Sequence, residues 1–148
     1  MVRYTQGIQA MYAQLSPVME MTRYEMDTFR FNIDFMEGSA HVVYGPTGTR
    51  KTSYCVSKYP EALFVRHMDD LKRYDRHQVI IFDDMSFSHL PRTAQIHLVD
   101  WDQPSSIHIR YGTAIIPRHI LKIFTTNIRD IFSEDAAIDR RIKYHHVA

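Results

Sequence analysis

Two short stretches of this chain carry residue types able to handle a phosphorylated ligand. Residues Tyr44 to Ser53 read Y-G-P-T-G-T-R-K-T-S and follow the apolar run Ala40-His41-Val42-Val43. Strand, glycine-containing loop and helix N-terminus, in that order, make a phosphate-binding loop. Gly45 and Gly48 permit the turns that aim backbone N–H groups at an anion, with Pro46, Thr47, Thr49 and Arg50 completing the loop. Lys51 can reach the β- and γ-phosphates of a nucleotide, and the Thr52 hydroxyl can sit on Mg²⁺. The second stretch, Val79 to Asp84, reads V-I-I-F-D-D. Its unbroken apolar run suits a strand buried on both faces, and carboxylates at its C-terminal end fall where open α/β sheets bind ligands. Asp83 is placed to hold Mg²⁺, directly or through water, and Asp84 to polarise an attacking water. A buried strand ending in a solvated acidic turn would look the same without the loop upstream.

These stretches need a scaffold, and the hydrophobic pattern supplies one. Short helices are expected over residues 5–16, Lys51–Lys58, Met68–Tyr74 and Pro91–Asp100, and a short helix or turn over Ala136–Ile142. Strands are expected over residues 40–44, 62–65, 79–84 and 120–125. Strict alternation of Phe29, Phe31, Ile33 and Phe35 with polar residues predicts a further strand before the Glu37-Gly38-Ser39 turn. Ser106–Tyr111 and Thr113–Ile116 flank Gly112 as a hairpin. Strands alternating with helices imply an α/β fold, a mainly parallel central sheet flanked by helices. A chain of 148 residues suits one such unit and buries roughly two-thirds of its unfolded surface.

Composition narrows the class. The chain is 45% hydrophobic and 24% charged, as soluble globular domains are, and it has neither a membrane-length apolar stretch nor a signal-peptide core. The lone Cys55 rules out an internal disulfide framework and suits a reducing compartment. Nine histidines show no metal-site spacing and read as surface or satisfied core residues. A net charge of +1 makes any nucleic-acid contact a matter of local basic positions.

Three further pieces follow the acidic strand. Ile107-His108-Ile109-Arg110-Tyr111-Gly112-Thr113 sets a cation and an aromatic ring at a hairpin tip, where they could hold a phosphate and stack on an unpaired base. Lys122 to Asn127 is a strand ending in an amide that can bond both a γ-phosphate and a lytic water. Asp139-Arg140-Arg141 offers a guanidinium that could reach a neighbouring subunit's γ-phosphate, though on its own it reads equally as a surface salt-bridge pair.

Taken in order, G-P-T-G-T-R-K-T (45–52), V-I-I-F-D-D (79–84), I-R-Y-G-T (109–113), I-F-T-T-N (123–127) and A-I-D-R-R-I (137–142) resemble a superfamily III helicase pattern. The chain is similar to the helicase domain of replication-initiation (Rep) proteins of circular single-stranded DNA viruses such as circoviruses. The likeness is strongest over about residues 40–145, and the leading R-Y-T-Q-G-I (3–8) looks like the linker after those proteins' nuclease domain. The resemblance implies a P-loop NTPase of AAA+-like fold. It divides the chain into an N-terminal linker or oligomerisation subregion, 1–39, and an ATPase domain, 40–148.

The activity it implies is ATP-dependent translocation along single-stranded DNA with duplex unwinding, in rolling-circle-type replication. ATP and Mg²⁺ are the implied cofactors, and single-stranded DNA and a homo-oligomeric, hexameric ring the implied partners. Lys51 and Thr52 would bind nucleotide and Mg²⁺, Asp83 and Asp84 form the Walker B pair, and Asn127 serve as sensor. Arg110, with His108 and Tyr111 beside it, would contact DNA in the channel, and Arg140 or Arg141 would be the arginine finger. The implied location is a host nucleus for a eukaryotic virus and otherwise the cytoplasm, with no membrane or secreted form.

Two departures from the pattern stand out. The nuclease domain and its His-hydrophobic-His triplet are missing, so this chain is expected neither to nick nor to rejoin an origin, as an excised domain or a truncated relative. Arg50 occupies the place of the loop's second glycine, which is expected to weaken ATP binding. A relative that binds DNA or oligomerises without efficient hydrolysis is therefore the second reading. Another small P-loop NTPase, such as a kinase, fits less well because no Arg-rich lid region is apparent.

Overall fold

The apolar runs expected as strands come together in one parallel sheet. The computed structural model describes residue 29 and residues 31–148, so the helix expected over residues 5–16 lies outside the described residues. Along the chain come β1 (Ala40–Tyr44), α1 (Lys51–Lys58), β2 (Leu63–Val65), a 3-10 helix (Met68–Arg73) and β3 (Val79–Asp83). Then follow α2 (Arg92–Val99), β4 (Ser105–Ile109), β5 (Gly112–Ile116), β6 (Leu121–Thr126), α3 (Ala136–Asp139) and β7 (Ile142–His146). Five strands form an α/β sheet in the order β2-β3-β6-β1-β7, with every neighbouring pair parallel. The carboxyl ends of β1, β3 and β6 therefore lie side by side.

Continuous apolar strands require a cover on both faces. On one face, Val42, Ile80, Phe82 and Phe124 pack with Leu98 and Val99 of α2, Ile138 of α3 and the inward residues of the hairpin. The rings of Phe82 and Phe124 stack with centroids 4.6 Å apart. On the other face, Val43, Ile81 and Ile123 meet Tyr54, Cys55 and Val56 of α1 and residues Ile33 and Phe35. The hairpin β4–β5 alternates cleanly: Ile107, Ile109, Ala114 and Ile116 are buried, while Ser106, His108, Thr113 and Ile115 are exposed.

Lys122 of β6 is only 2% exposed, among the innermost polar residues. Its ammonium donates to Ser105 Oγ at 2.9 Å and to the Asp100 carbonyl at 3.5 Å. Ser105 in turn donates to the His97 carbonyl. Burial pulls the lysine down to about 8, against the opposing pull of Asp100.

One expectation is corrected, and one strand was not expected. Residues 31–36 form no strand, although the alternation expected of one is present in their burial: Ile33 and Phe35 are buried, Asn32 and Asp34 exposed. Side chains of α1 take the backbone hydrogen bonds that a neighbouring strand would have provided. Ile33 N donates to the Tyr54 hydroxyl at 2.8 Å, and Lys58 donates to the Ile33 carbonyl. The segment expected as a helix or turn over 136–142 is helix to Asp139 and turn through Arg141, and β7, which was not expected, follows from Ile142. This edge strand is mostly polar, with just Ile142 buried, so its composition hides it.

β7 is fastened to β1 by a histidine pair. His41 is 1% exposed, and its Nδ1 lies 2.9 Å from His145 Nε2 while its Nε2 lies 2.8 Å from the Met36 carbonyl. The carbonyl can only accept, so the proton is on His41 Nε2, and His145 Nε2–H then donates to His41 Nδ1. Burial depresses His41, partly offset by the Met36 carbonyl, and burial followed by the charge of its partner depresses His145. Both folded values fall below the ordinary 6.5, so the unfolded chain binds more protons just beneath that pH. The pair's contribution to stability is complete above 6.5 and is lost as pH falls from there toward the depressed values. Thermal melts from pH 7.5 down to about 5.5, a window above most carboxylate titrations, should show a falling Tm. The slope should flatten in His145→Phe; identical slopes would assign the effect to other groups.

Candidate functional site

The loop after β1 is shaped by two different constraints. Gly45 N donates to the Thr126 carbonyl at 3.2 Å, and Val147 N donates to the Tyr44 carbonyl at 2.8 Å. The chain beyond β7 therefore runs so close that a Cβ on Gly45 would fall 2.0 Å from the Val147 carbonyl oxygen. Only glycine fits there. Gly48 has open space around it but a φ of 91°, so its constraint is conformational. Thr49 Oγ1 donates to the Pro46 carbonyl at 3.0 Å and braces the turn between them.

Arg50 then adopts φ 65° and ψ 25°, the left-handed region in which a side chain costs about 1–2 kcal/mol. Sequence marked the position, and the backbone explains it: a glycine would sit here without strain. Arg50 is also the residue that caps α1, and its side chain makes no capping hydrogen bond. The first turn of α1 contains no acidic residue. Its leading amides and the positive end of its dipole thus favour an anion.

Polar and charged groups from the helix start and from the carboxyl ends of β2, β3 and β6 converge here. Lys51 is 7% exposed, and its Nζ donates to Asn127 Oδ1 at 2.9 Å and to the Pro46 carbonyl at 3.2 Å. An ammonium has three protons, so one remains for an incoming anion. Burial lowers the lysine from its usual value, opposed by Asp83 and then Asp84. Asp83 Oδ1 accepts from Thr52 Oγ1 at 2.7 Å and from Thr125 Oγ1 at 2.9 Å, and Asp83 Oδ2 lies 3.5 Å from Arg66 Nε. Asp84 follows with φ 56°, its N–H held by the Thr125 carbonyl at 2.8 Å and its side chain exposed.

No group of three or more His, Cys, Asp or Glu residues among the described residues could cage a metal. A site for Mg²⁺ does not need one, because that ion keeps waters and takes one or two carboxylates together with substrate phosphates. The Thr52 hydroxyl and the Asp83 carboxylate, hard oxygen donors in contact with each other, fit that requirement.

Lys51 and Thr52, at the end of the loop, thus meet Asn127 and Asp83 at the carboxyl edge of the sheet, with Asp84 next in the chain. The hairpin residues and the two arginines lie elsewhere. Arg110 and Tyr111 form the tip of β4–β5, where Tyr111 has φ 66° and is 88% exposed. Arg110 Cζ and Lys72 Nζ stand 5.0 and 5.8 Å from its ring centroid, and Arg110 N donates to Asp69 Oδ1 at 2.9 Å. His108 is exposed on the outer face of β4. Arg140 and Arg141 precede β7, at the amino end of the sheet, where the Arg141 carbonyl accepts from Ala40 N at 2.9 Å. The length of β1 separates them from the loop of their own chain.

Arg66 and Thr125 were not expected. Arg66 directly follows β2, and the carboxyl edge of a parallel sheet is where site residues collect, so position alone could have marked it. Nothing local distinguishes Thr125 from the other buried residues of β6. No protein-family model matches the chain, and no curated protein matches it.

Proposed function

We propose that this chain is a P-loop NTPase domain of AAA+-like type, an ATP-driven superfamily III DNA helicase of the viral Rep kind. The observation that carries the reading is the convergence of Lys51 on Asn127 and of Thr52 on Asp83, which brings three remote sequence segments together at the carboxyl edge of one sheet. A triphosphate in the loop would take the amides at the start of α1 and the free proton of Lys51. Bound Mg²⁺, held by Thr52 and Asp83, would neutralise charge on the phosphate oxygens. Asp84, exposed beside Asp83, serves as the base that orients water toward the terminal phosphorus. Asn127 shares Lys51 with the loop, so a γ-phosphate competes with its amide for the ammonium, and the tip of β6 senses the nucleotide.

The arginine finger is Arg140. Arg141 Nη1 already donates to the Ala137 carbonyl at 2.7 Å, and its Nε lies 3.8 Å from Asp100 Oδ2. Arg140 is exposed, and its side chain has no hydrogen-bonding or ionic partner among the described residues. Its distance from its own loop suits a residue that acts on a neighbour in a ring. Single-stranded DNA is assigned to the hairpin tip. Tyr111 offers a ring for base stacking there, with Arg110 and Lys72 adding charge for the backbone.

The backbone strain at Arg50 favours one second reading, a relative that binds DNA without efficient hydrolysis. ATP turnover with and without single-stranded DNA, on the wild-type chain and on Arg50→Gly, tests both. Hydrolysis stimulated by DNA, with nucleotide affinity several-fold tighter in Arg50→Gly, is the expected result. DNA binding with no hydrolysis in either protein would leave the second reading standing and remove the motor.

A further inference from the structure

A cavity of about 370 Å³ opens on the outer side of the loop, with Thr47, Gly48 and Arg50 on one wall and Phe29 and Phe31 on another. We propose that it is a nucleobase subsite, in which Phe31, backed by Phe29, stacks on the base of a nucleotide whose phosphates lie in the loop. The proposal rests on the reading of residues 45–52 as a triphosphate site and extends it to the other end of the ligand.

Three observations support it. The cavity shares Gly48 and Arg50 with the loop, so a molecule gripped at the start of α1 has its far end within reach of the cavity. The facing wall is aromatic, and aromatic rings hold bases of any sequence by their π-faces. The volume lies inside the roughly 300–1,000 Å³ range of small-ligand sites.

The wall is also fixed relative to the phosphate grip. Phe31 and Phe29 lie 4.7 and 5.2 Å from the ring of Tyr54, and 6.1 Å from each other. Tyr54 is buried in α1, one turn beyond Lys51, and its hydroxyl donates to Asn32 Oδ1 at 3.1 Å while accepting from Ile33 N at 2.8 Å. A single helix thus sets the distance between stacking surface and anion site. That arrangement suits a ligand with a phosphate at one end and a flat ring at the other.

Calorimetry with Mg·ATP and with Mg·tripolyphosphate, which has no base, separates the subsite from the loop. In Phe31→Ala the ATP affinity should fall about tenfold, with the tripolyphosphate affinity unchanged. Phe31→Leu keeps apolar packing against Tyr54 but removes the π-face, so it should lose ATP affinity selectively as well. ATP affinity at the wild-type level in Phe31→Leu, with tripolyphosphate still bound, would overturn the subsite and spare the loop. Failure of the wild-type chain to bind either ligand would overturn the loop reading and the subsite together. Loss of both ligands in Phe31→Ala alone would reflect damage to α1, and Phe31→Leu then decides.

Discussion

Replacing Lys51 with alanine is expected to lower ATP turnover by about 10²–10³-fold, the range typical for losing one charged or hydrogen-bonding stabiliser of a transition state. The side chain is buried and shared between the Pro46 carbonyl and Asn127 Oδ1. The substitution therefore removes the cation nearest the proposed phosphates and also one of the links between loop and β6. Folding should survive. The Pro46 carbonyl keeps its bond from Thr49 Oγ1, the exposed Asn127 amide can turn to water, and a desolvated ammonium is deleted. Steady-state turnover together with a thermal melt provides the check. A folded Lys51→Ala chain that hydrolyses ATP at the wild-type rate would remove the loop from the chemistry.

Asp83→Asn should act through the metal. The amide is isosteric, and its oxygen can still accept from Thr52 and Thr125. Its nitrogen, however, would face Arg66 Nε, where two donors meet and the ion pair is lost. Asparagine is also a far poorer ligand for a hard divalent cation than a carboxylate. Turnover at moderate Mg²⁺ is expected to fall by about 10²-fold or more, with partial recovery at high Mg²⁺. ATP affinity measured in EDTA should be unaltered. An unchanged Mg²⁺ dependence would show that Asp83 is a structural acceptor for two threonine hydroxyls and nothing more.

Much of the sheet could be read from sequence because buried parallel strands are continuous apolar runs. Val79–Asp83 and the helix beginning at Lys51 both lie where hydrophobicity and the glycine loop placed them. What escaped was information held in distant partners. The alternation over residues 31–35 is a true record of burial, yet Tyr54 and Lys58 supply its hydrogen bonds, and period alone does not distinguish a helix's side chains from a neighbouring strand. β7 is an edge strand whose half-buried residues are held by pairing with β1 and by one histidine contact, neither of which has a local signature.

The candidate site divides in the same way. Lys51, Thr52, Asp83 and Asn127 sit in recognisable strings, whereas Arg66 and Thr125 join only because β2 and β6 end beside β3. Among the described residues, five non-glycine positions have positive φ, and Arg50, Asp84 and Tyr111 are three of them. Sequence could single out those residues, but the strain they carry is visible only in the backbone. Strain of this sort persists where the surroundings over-determine it, and it gathers at working sites.

The buried ammonium of Lys122 ties the root of the hairpin to the central sheet. One serine hydroxyl at the root of β4 meets both β6 and the last turn of α2. Prising that root loose would strand a cation in the interior at a cost of several kcal/mol, whereas the far end is held by one exposed hydrogen bond from Arg110 N to Asp69. If nucleic acid pulls on the tip, the load passes down the arm into β6, the strand that ends at Asn127.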